Sequence, residues 1–471
     1  MFPAPPSDRR KASLQIDFLI VGASVSGLTA AIGLGRAGHR VRLLEKESRV
    51  ARTGAGIRLA PNVVSSLRRW GLEEEIAQVA SPVRGSRFID MDSGAPFAFI
   101  EWADKVVKES GASWYALNYK DLIEILHRNA LQAGAEVVTD ASVKRVHSPQ
   151  SGASLLRPSV TLDDGRTFDA DVIIGADGPY STVRGAIEEQ PTVPTWSGVL
   201  CFSSLVPIEG LKQDPLLRDL SLCTPAFCGT HRGLGGYATR GDKEYSIHLF
   251  WEYPIELPDN YDPDFPASDL PPLTAPVTDL VKRLVSVQDK TDIRRWMVWP
   301  LVQTWIDESE RIALLGEAAC PHIPYAFHTA SNPIESATVL ATLFSYLRSI
   351  DQIPQFLRAY EHLRRSRAEE ISTGDSQTAS LWTLPPGPEK QARDEAMRHT
   401  LAQEHATWDD VECEKQWSQI SHIWLYDGID AADEWWLQWG LLREHALLAE
   451  SPEAAAAAGV RFDGLRIRVD A

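Results

Sequence analysis

Residues 16–45 read IDFLIVGASVSGLTAAIGLGRAGHRVRLLE. An apolar run at 18–21 is followed at once by Gly22-Ala23-Ser24-Val25-Ser26-Gly27. An apolar helical stretch then runs over 28–35 and closes near Gly38, and a second buried strand is predicted at 41–44, ending at Glu45. Buried strand, glycine turn, helix, buried strand and terminal acid, all within about thirty residues, make a βαβ unit of the dinucleotide-binding kind. The chemistry needs that order. Glycines let the turn backbone approach a pyrophosphate, the helix N-terminus offers partial positive charge, and the acid accepts hydrogen bonds from a ribose. Gly22, Ser24, Gly27 and Glu45 are thus the first candidate cofactor-binding residues. Ser24 stands where the middle glycine of G-x-G-x-x-G is usual, so the assignment rests on the flanking strands rather than on the glycines alone. Asp17, the serines and the turn also make the stretch a poor membrane span.

Outward from this unit, 471 residues correspond to two or three domains, and 44% hydrophobic content supports a large core. Lys and Arg total 47 against 64 acids, a net charge of −17 with no long basic run, which argues against a nucleic-acid binder. Cys201, Cys223, Cys228, Cys320 and Cys413 are an odd, scattered set without C-x-x-C spacing. They fit a reducing, cytoplasmic setting better than a disulfide framework. Residues 1–15 carry no apolar core of a signal peptide and no transit pattern, so no membrane association is expected. No H-E-x-x-H or comparable ligand spacing indicates a metal, and no G-x-S-x-G elbow indicates a serine hydrolase.

Further along, a polar helix is predicted over 120–134, with strands at 136–139, 143–146 and 160–162. The segment 171–178, DVIIGADG, is another buried strand ending in a turn. Strands are predicted at 199–205, 236–239 and 245–251, ahead of a Pro/Asp-rich loop at 254–272. Residues 229–236, GTHRGLGG, lack a G-K-[ST] ending and read as a turn between strands rather than a phosphate loop. A buried strand at 312–315 leads into Gly316-Glu317-Ala318-Ala319, and helices are predicted over 334–348 and 354–370. The alanine tract 454–458 reads as a frayed end. The last ninety residues hold seven of the fifteen tryptophans. Large aromatics dominate packing area, so these are expected to fasten a helical tail to the body rather than to form a substrate box.

Taken together, these segments resemble the FAD-dependent aromatic hydroxylases, in particular the salicylate-hydroxylase-like single-component monooxygenases of fungal secondary metabolism. The resemblance begins with Gly22 to Gly27 and Glu45, then GAGIRLAPN at 54–62 and RWGL at 69–72. It continues with DVIIGADG at 171–178 plus Ser181 and Arg184, similar to the family's second dinucleotide motif. LGEAACP at 315–321 is similar to the family's GDAAHP segment, and GPE at 387–389, ARD at 392–394 and WLY at 424–426 complete it.

The resemblance implies an α/β fold in which a FAD-binding Rossmann-like domain of the GR2 type (1–80, 111–190 and 290–370) is interleaved with a β-sheet substrate domain (81–110 and 191–289). A C-terminal helical region, 371–471, would follow. It implies a flavin reduced by NAD(P)H without a separate nicotinamide domain, with O₂ as co-substrate and a small, electron-rich, often phenolic molecule as substrate. A monomer or homodimer is expected. Gly56, Arg58, Tyr119, Asp177, Gly178, Glu317 and Ala330 join the cofactor-binding set, and Tyr237 matches the family's active-site tyrosine.

Several positions depart from the family pattern. Tyr119 stands where an Arg usually reaches the flavin phosphates or ribityl chain, and a phenol lacks a guanidinium's charge and fork. Glu317 replaces the Asp that bonds the ribityl hydroxyls, and Cys320 replaces the following His. Phe327-His328-Thr329 occupies the place of a glutamine–glycine pair beside the ring, Ser203 that of an Arg, Gly233 that of a base histidine, and Ser336 that of an Asp. His231, His322 and His328 are therefore the candidate acids or bases beside Tyr237, the plain alternative for each being a hydrogen-bonded loop histidine. Two functions stay open: hydroxylation or epoxidation of an aromatic, polyketide or indole-type intermediate, or a flavin-vestigial cyclase, isomerase or dehydratase on the same fold. A non-catalytic binding protein is the third class.

Overall fold

The computed structural model describes residues 10–50, 55–83, 85–102, 104–149, 157–188, 191–253, 264–401 and 410–441. The alanine tract, Trp408, Gly54 and the first part of the Pro/Asp-rich loop lie outside them. The βαβ unit forms as its sequence dictates. Asp17–Val21, with four buried apolar residues, pairs in parallel with Arg40–Leu44 on one side and with Val172–Gly175 on the other. Ile312–Leu314 and Glu136–Val138 complete a five-stranded parallel sheet. Such a sheet buries both faces at its centre, which is why the strands at 17–21, 172–175 and 312–314 are nearly continuous apolar runs. Helices Val25–Arg36, Tyr119–Gln132 and Ser331–Phe344 cover it. The helix over Tyr119–Gln132 is less polar than its sequence indicates: Asp121, Leu122, Ile123, Ile125, Leu126 and Ala130 form a buried face.

The second layer is an eight-stranded sheet in the order 264–266, 290–298, 195–207, 244–252, 232–239, 224–229, 86–90, 96–100. It is antiparallel except where Thr224–Gly229 runs parallel to Ser86–Asp90. The strand Gly56–Leu59 pairs with Tyr115–Asn118 between the two sheets. The layers are stitched by a bidentate pair, Arg240 to Asp121 at 2.7 Å for both contacts, and by Asn118 Nδ2 donating to Glu244 at 3.1 Å.

Two expected boundaries move. Lys290–Val298 belongs to the eight-stranded sheet, so that unit extends past residue 289. The helix expected at 354–370 runs without a break over Ile353–Trp382, through the expected border at 371. Ser372, Gly374, Ser376, Thr378 and Ser380 make its second half a poor helix on propensity. Tertiary contacts carry it instead: Ser372 Oγ donates to Pro321 O at 3.1 Å, while Ser376 and Ser380 satisfy their hydroxyls on the carbonyls four residues before them at 3.0 Å. Pro385 and Pro386 follow the end at Thr383.

One buried ion cluster joins these parts. Glu335 accepts from Arg364 at 2.6 Å, Arg367 at 2.8 Å and Asn62 at 2.6 Å, while Arg364 also donates to Asn332 Oδ1 at 2.6 Å. Arg367 continues to the carbonyls of His422 and Ile423, at 3.1 and 3.0 Å, which fixes the C-terminal helix Asp410–Trp424. Burial alone would raise the Glu335 carboxyl, but Arg364 and Arg367 hold it below the usual carboxylate range. Breaking one member of such a cluster strands the others without compensation. Glu335→Gln is expected to lower stability by about 3–5 kcal/mol, read as a fall in the urea midpoint; an unchanged midpoint would contradict the role given to this cluster.

Candidate active site

The nucleotide cradle lies at the carboxyl ends of the parallel strands. The helix Val25–Arg36 starts behind Ser24 with no side-chain cap and no acid in its first turn, so its leading amides and dipole are left for a ligand. The helix Ser331–Phe344 starts behind Ala330 in the same state. Gly22 has φ 103°, and a Cβ there would strike the Ala176 carbonyl. The turn therefore lies directly on the 171–178 segment. Glu45 is buried at the end of its strand, its two oxygens accepting from the Ala23 and Glu47 amides at 3.0 Å each. Asp177 accepts from the Ser181 hydroxyl at 2.5 Å and the Thr182 amide at 2.8 Å, and burial pushes its carboxyl above the usual range. Arg184, 3% exposed, donates to the carbonyls of Pro179, Glu317 and Ala318 and so locks the Gly178 turn to the Gly316 turn. Burial raises the Glu317 carboxyl, against a smaller opposing effect of Arg294.

Two uncapped helix N-termini, a carboxylate at a strand end and two glycine turns fit the pyrophosphate and ribose of FAD. Ala330 offers only backbone, being fully buried. Tyr119 is partly buried against the core, and its amide donates to Ala55 O at 3.0 Å. No guanidinium stands at that position.

Beside the cradle, a cavity of about 1010 Å³ opens between the eight-stranded sheet and the helix Ile353–Trp382. Its sheet wall carries a buried polar chain. Tyr237 Oη lies 2.8 Å from His248 Nε2, and His248 Nδ1 lies 3.1 Å from Ser203 Oγ. Ser246 Oγ, 3.0 Å from His248 Nε2, accepts from the Gly56 amide at 2.9 Å. A Cβ on Gly56 would come within 2.6 Å of the Tyr237 ring, so this glycine is required by the sheet wall as much as by any cofactor. Burial pushes the Tyr237 phenol up to about 12 and the His248 imidazole down to about 3. At neutral pH the phenol keeps its proton and the imidazole is neutral.

The opposite wall holds His328. Its Nδ1 is 3.0 Å from Asp375 Oδ1, and its amide donates to Asp375 Oδ2 at 3.1 Å. Burial would raise the Asp375 carboxyl, but His328 holds it below the usual range. With Nδ1 on the carboxylate, Nε2 is the ring nitrogen without a protein partner among the described residues, on a side chain that lines the cavity.

Three expected site residues stand elsewhere. His231 is exposed at the hairpin tip after Thr224–Gly229, with φ 52°, and does not line the cavity. The GTHRGLGG segment is mostly strand, Arg232–Thr239, because it pairs along its whole length with Glu244–Glu252. His322 is buried behind the wall: its Nε2 accepts from Asn332 at 2.9 Å, its Nδ1 has no partner, and burial pushes it down to about 4, which makes it a poor base at neutral pH. Arg58 lines the cavity rather than the nucleotide cradle. The tryptophans divide. Trp435 and Trp436 pack on the core as expected, but Trp382 and Trp424 are cavity walls, with Trp102 and Trp114 within 5.5 Å of Trp424.

His248 and Asp375 join the site without any local sequence signal that marks them. Ser246 and His248 sit two apart on one strand, and register places His248 opposite Ser203 and Ser246 opposite Tyr237. The alternation was visible, but the pairing was not. Ser203 has no guanidinium to offer, while on the adjacent strand Arg294, opposite Cys201, lies 5.8 Å from the Tyr325 ring.

His248 and His322 both have folded-state values below the ordinary 6.5. The unfolded chain therefore binds more protons than the folded one below that pH, and stability falls as pH drops from about 6.5 toward about 4. Each residue contributes a slope of up to about 1.4 kcal/mol per pH unit in that window. Urea unfolding across it is expected to show a shallower slope for His248→Gln and for His322→Gln than for the parent chain; equal slopes would refute the neutral buried state.

The sequence matches the FAD binding domain family over residues 15–375, well over half of the chain. It is similar to the FAD-dependent monooxygenase OpS4 of Beauveria bassiana, 27% identical over 435 residues that cover 89% of this chain and 96% of that protein. It is 29% identical over 397 residues to the 3-amino-4-hydroxybenzoate 2-monooxygenase of Streptomyces cremeus, covering 83% of this chain and 94% of that one. A salicylate hydroxylase substrate complex shares the fold with a TM-score of 0.71 at 18% identity, over 89% of this chain and 97% of that one. Matching family, fold and cradle agree, and the chain belongs to the FAD binding domain family as a FAD-dependent monooxygenase, an oxidoreductase with FAD as its cofactor.

Proposed function

We propose that this protein hydroxylates or epoxidises a large aromatic substrate, phenolic, indolic or polyketide-like, with NAD(P)H as reductant, as a step of secondary metabolism. The observation that carries this is the His328–Asp375 pair in the wall of a cavity whose lining includes Trp102, Trp114, Tyr237, Phe327, Trp382 and Trp424. Bound FAD supplies the redox chemistry, accepting reducing equivalents from NAD(P)H and activating O₂. The chain's own residues do the rest. His328 Nε2 takes the substrate's hydroxyl or ring N–H proton while Asp375 fixes the tautomer and orientation of the ring, which makes the aromatic system more electron-rich. Tyr237, protonated and backed by His248, offers a hydrogen bond from the opposite wall. Trp102, Trp114, Trp382 and Trp424 keep water from that space. A phenolic substrate also suits the names of the relatives, one of which acts on an amino-hydroxybenzoate. Five cysteines without a disulfide suit the cytoplasm. Among the described residues no helix is long and apolar enough to cross a membrane. We place the working form as a monomer or homodimer.

The test is FAD content together with NAD(P)H-driven O₂ uptake across a panel of phenols and indoles. Stoichiometric flavin and substrate-stimulated uptake are expected. His328→Asn should retain FAD while kcat falls by about 10²–10⁴-fold, and Asp375→Asn should fall in the same direction. A colourless protein indifferent to added FAD, or a His328→Asn variant with parental kcat, would sink this assignment.

A further inference from the structure

Among the described residues, Arg58 is the cavity-lining arginine with no ion-pair partner. Its side chain is 91% buried, being 9% exposed. Among the described residues its sole hydrogen bond is a long one, Nη2 to the Tyr325 carbonyl at 3.3 Å, and its Nε has no partner. Its guanidinium lies 4.0 Å from the centre of the Phe327 ring and 5.1 Å from that of Tyr237. The other arginines of the cavity wall differ: Arg367 is spent on Glu335 and Arg393 on Asp394. Asp375 is near enough to influence Arg58, but both its oxygens are taken by His328. A buried guanidinium without a counter-ion is costly, and aromatic faces relieve only part of that. The missing partner is an anion, and Arg58 faces the space in which one would sit.

We infer that Arg58 is an anion-binding subsite of the cavity, so that the substrate is an aromatic molecule carrying an acidic oxygen group, a carboxylate or an ionised phenol or enol. This rests on the reading of the cavity as the substrate site. The acid group on Arg58 anchors one end of the molecule between Tyr237 and Phe327, and the aromatic body extends toward Trp102, Trp114 and Trp424, whose rings lie 4.7–5.5 Å apart. A guanidinium pairs with a carboxylate or phenolate in a planar, directional way, so anchoring also sets which ring edge faces the flavin side. Neutral aromatics of the same shape would fill the cavity but leave Arg58 uncompensated.

The test is tryptophan-fluorescence binding to the FAD-loaded enzyme, with 2-naphthoate against 2-naphthamide, and 1-nitro-2-naphthol, ionised near neutral pH, against 2-naphthol. The anion of a pair is expected to bind about 10- to 100-fold more tightly than its neutral counterpart, and which pair shows the larger ratio tells carboxylate from acidic phenol. Arg58→Gln should abolish the preference, leave the amide affinity unchanged and keep FAD stoichiometric. Arg58→Lys, which keeps the charge without the fork, should retain part of the preference and serves if Arg58→Gln does not fold. Equal binding of anion and neutral probe by the parent enzyme, a preference that survives in Arg58→Gln, or loss of FAD from that variant would overturn the inference. NAD(P)H-driven O₂ uptake is recorded on the same samples. Anion preference without any substrate-stimulated uptake overturns the hydroxylase alone, and uptake without anion preference overturns the subsite alone.

Discussion

Glu335 is the residue on which the rest of the structure turns. It is 2% exposed and carries a charge, a situation tolerated only because Arg364, itself fully buried, and Arg367 surround it with Asn62. The cluster draws on three helices. Glu335 is on the helix whose N-terminus belongs to the flavin cradle, Arg364 and Arg367 are on the helix that roofs the cavity, and Asn62 opens the helix after the strand that carries Arg58. Arg367 then reaches the C-terminal carbonyls, and Tyr426 lies 4.0 Å beneath it. A hydrophobic contact would have held these elements together with less desolvation, but it would not have fixed their rotation about one another. Hydrogen-bonded geometry does, and cavity shape depends on it.

The cluster also explains how the catalytic candidates acquire their states. Asn332 Oδ1 accepts from Arg364 while its Nδ2 donates to His322 Nε2 and the Ala368 carbonyl, which settles the amide's orientation and holds His322 as a neutral, structural imidazole. Eleven residues along the same helix from Arg364, Asp375 is brought beneath His328. One histidine of the 322–328 loop is therefore retired into packing and the other is paired with a carboxylate at the cavity surface. The same residue type receives two functions from one helix, through burial and partner rather than through sequence context.

Much of this was legible in the sequence and some was not, for reasons of distance along the chain. The βαβ unit reads directly because its signals are local: apolar runs, glycines and Glu45 within thirty positions. Glu317, Asp177 and Gly178 fall at the cradle because they sit at ends of buried strands, which apolar runs also mark. Tyr237 was found, yet its partner His248 was not, since a cross-strand pair depends on register that a hairpin sets only in three dimensions. His231 misled because GTHRGLGG has the composition of a turn, while pairing with Glu244–Glu252 draws all but its tip into strand. Trp382 misled for a related reason: a serine- and glycine-rich stretch is a weak helix by propensity, and only contacts with the 320–328 loop extend the helix far enough to bring that indole over the cavity.

Around Arg58 the protein gives up stability that an ordinary core would keep. Tyr325 adopts φ 62°, a left-handed conformation that a bulky side chain seldom takes. That conformation turns its carbonyl to Arg58, sets its ring 4.7 Å from His248, and directs its hydroxyl to Asp292 at 3.2 Å. Strained backbone, an uncompensated guanidinium, a neutral histidine at the base of the wall and Gly56 with no room for a methyl group all meet within a few residues of one another. The guanidinium and the imidazole each have apolar replacements that would spare their desolvation, whereas Gly56 admits no side chain at all. Their concentration at one cavity, next to a cradle built by ordinary rules, is what separates a site kept for chemistry from a site kept for structure.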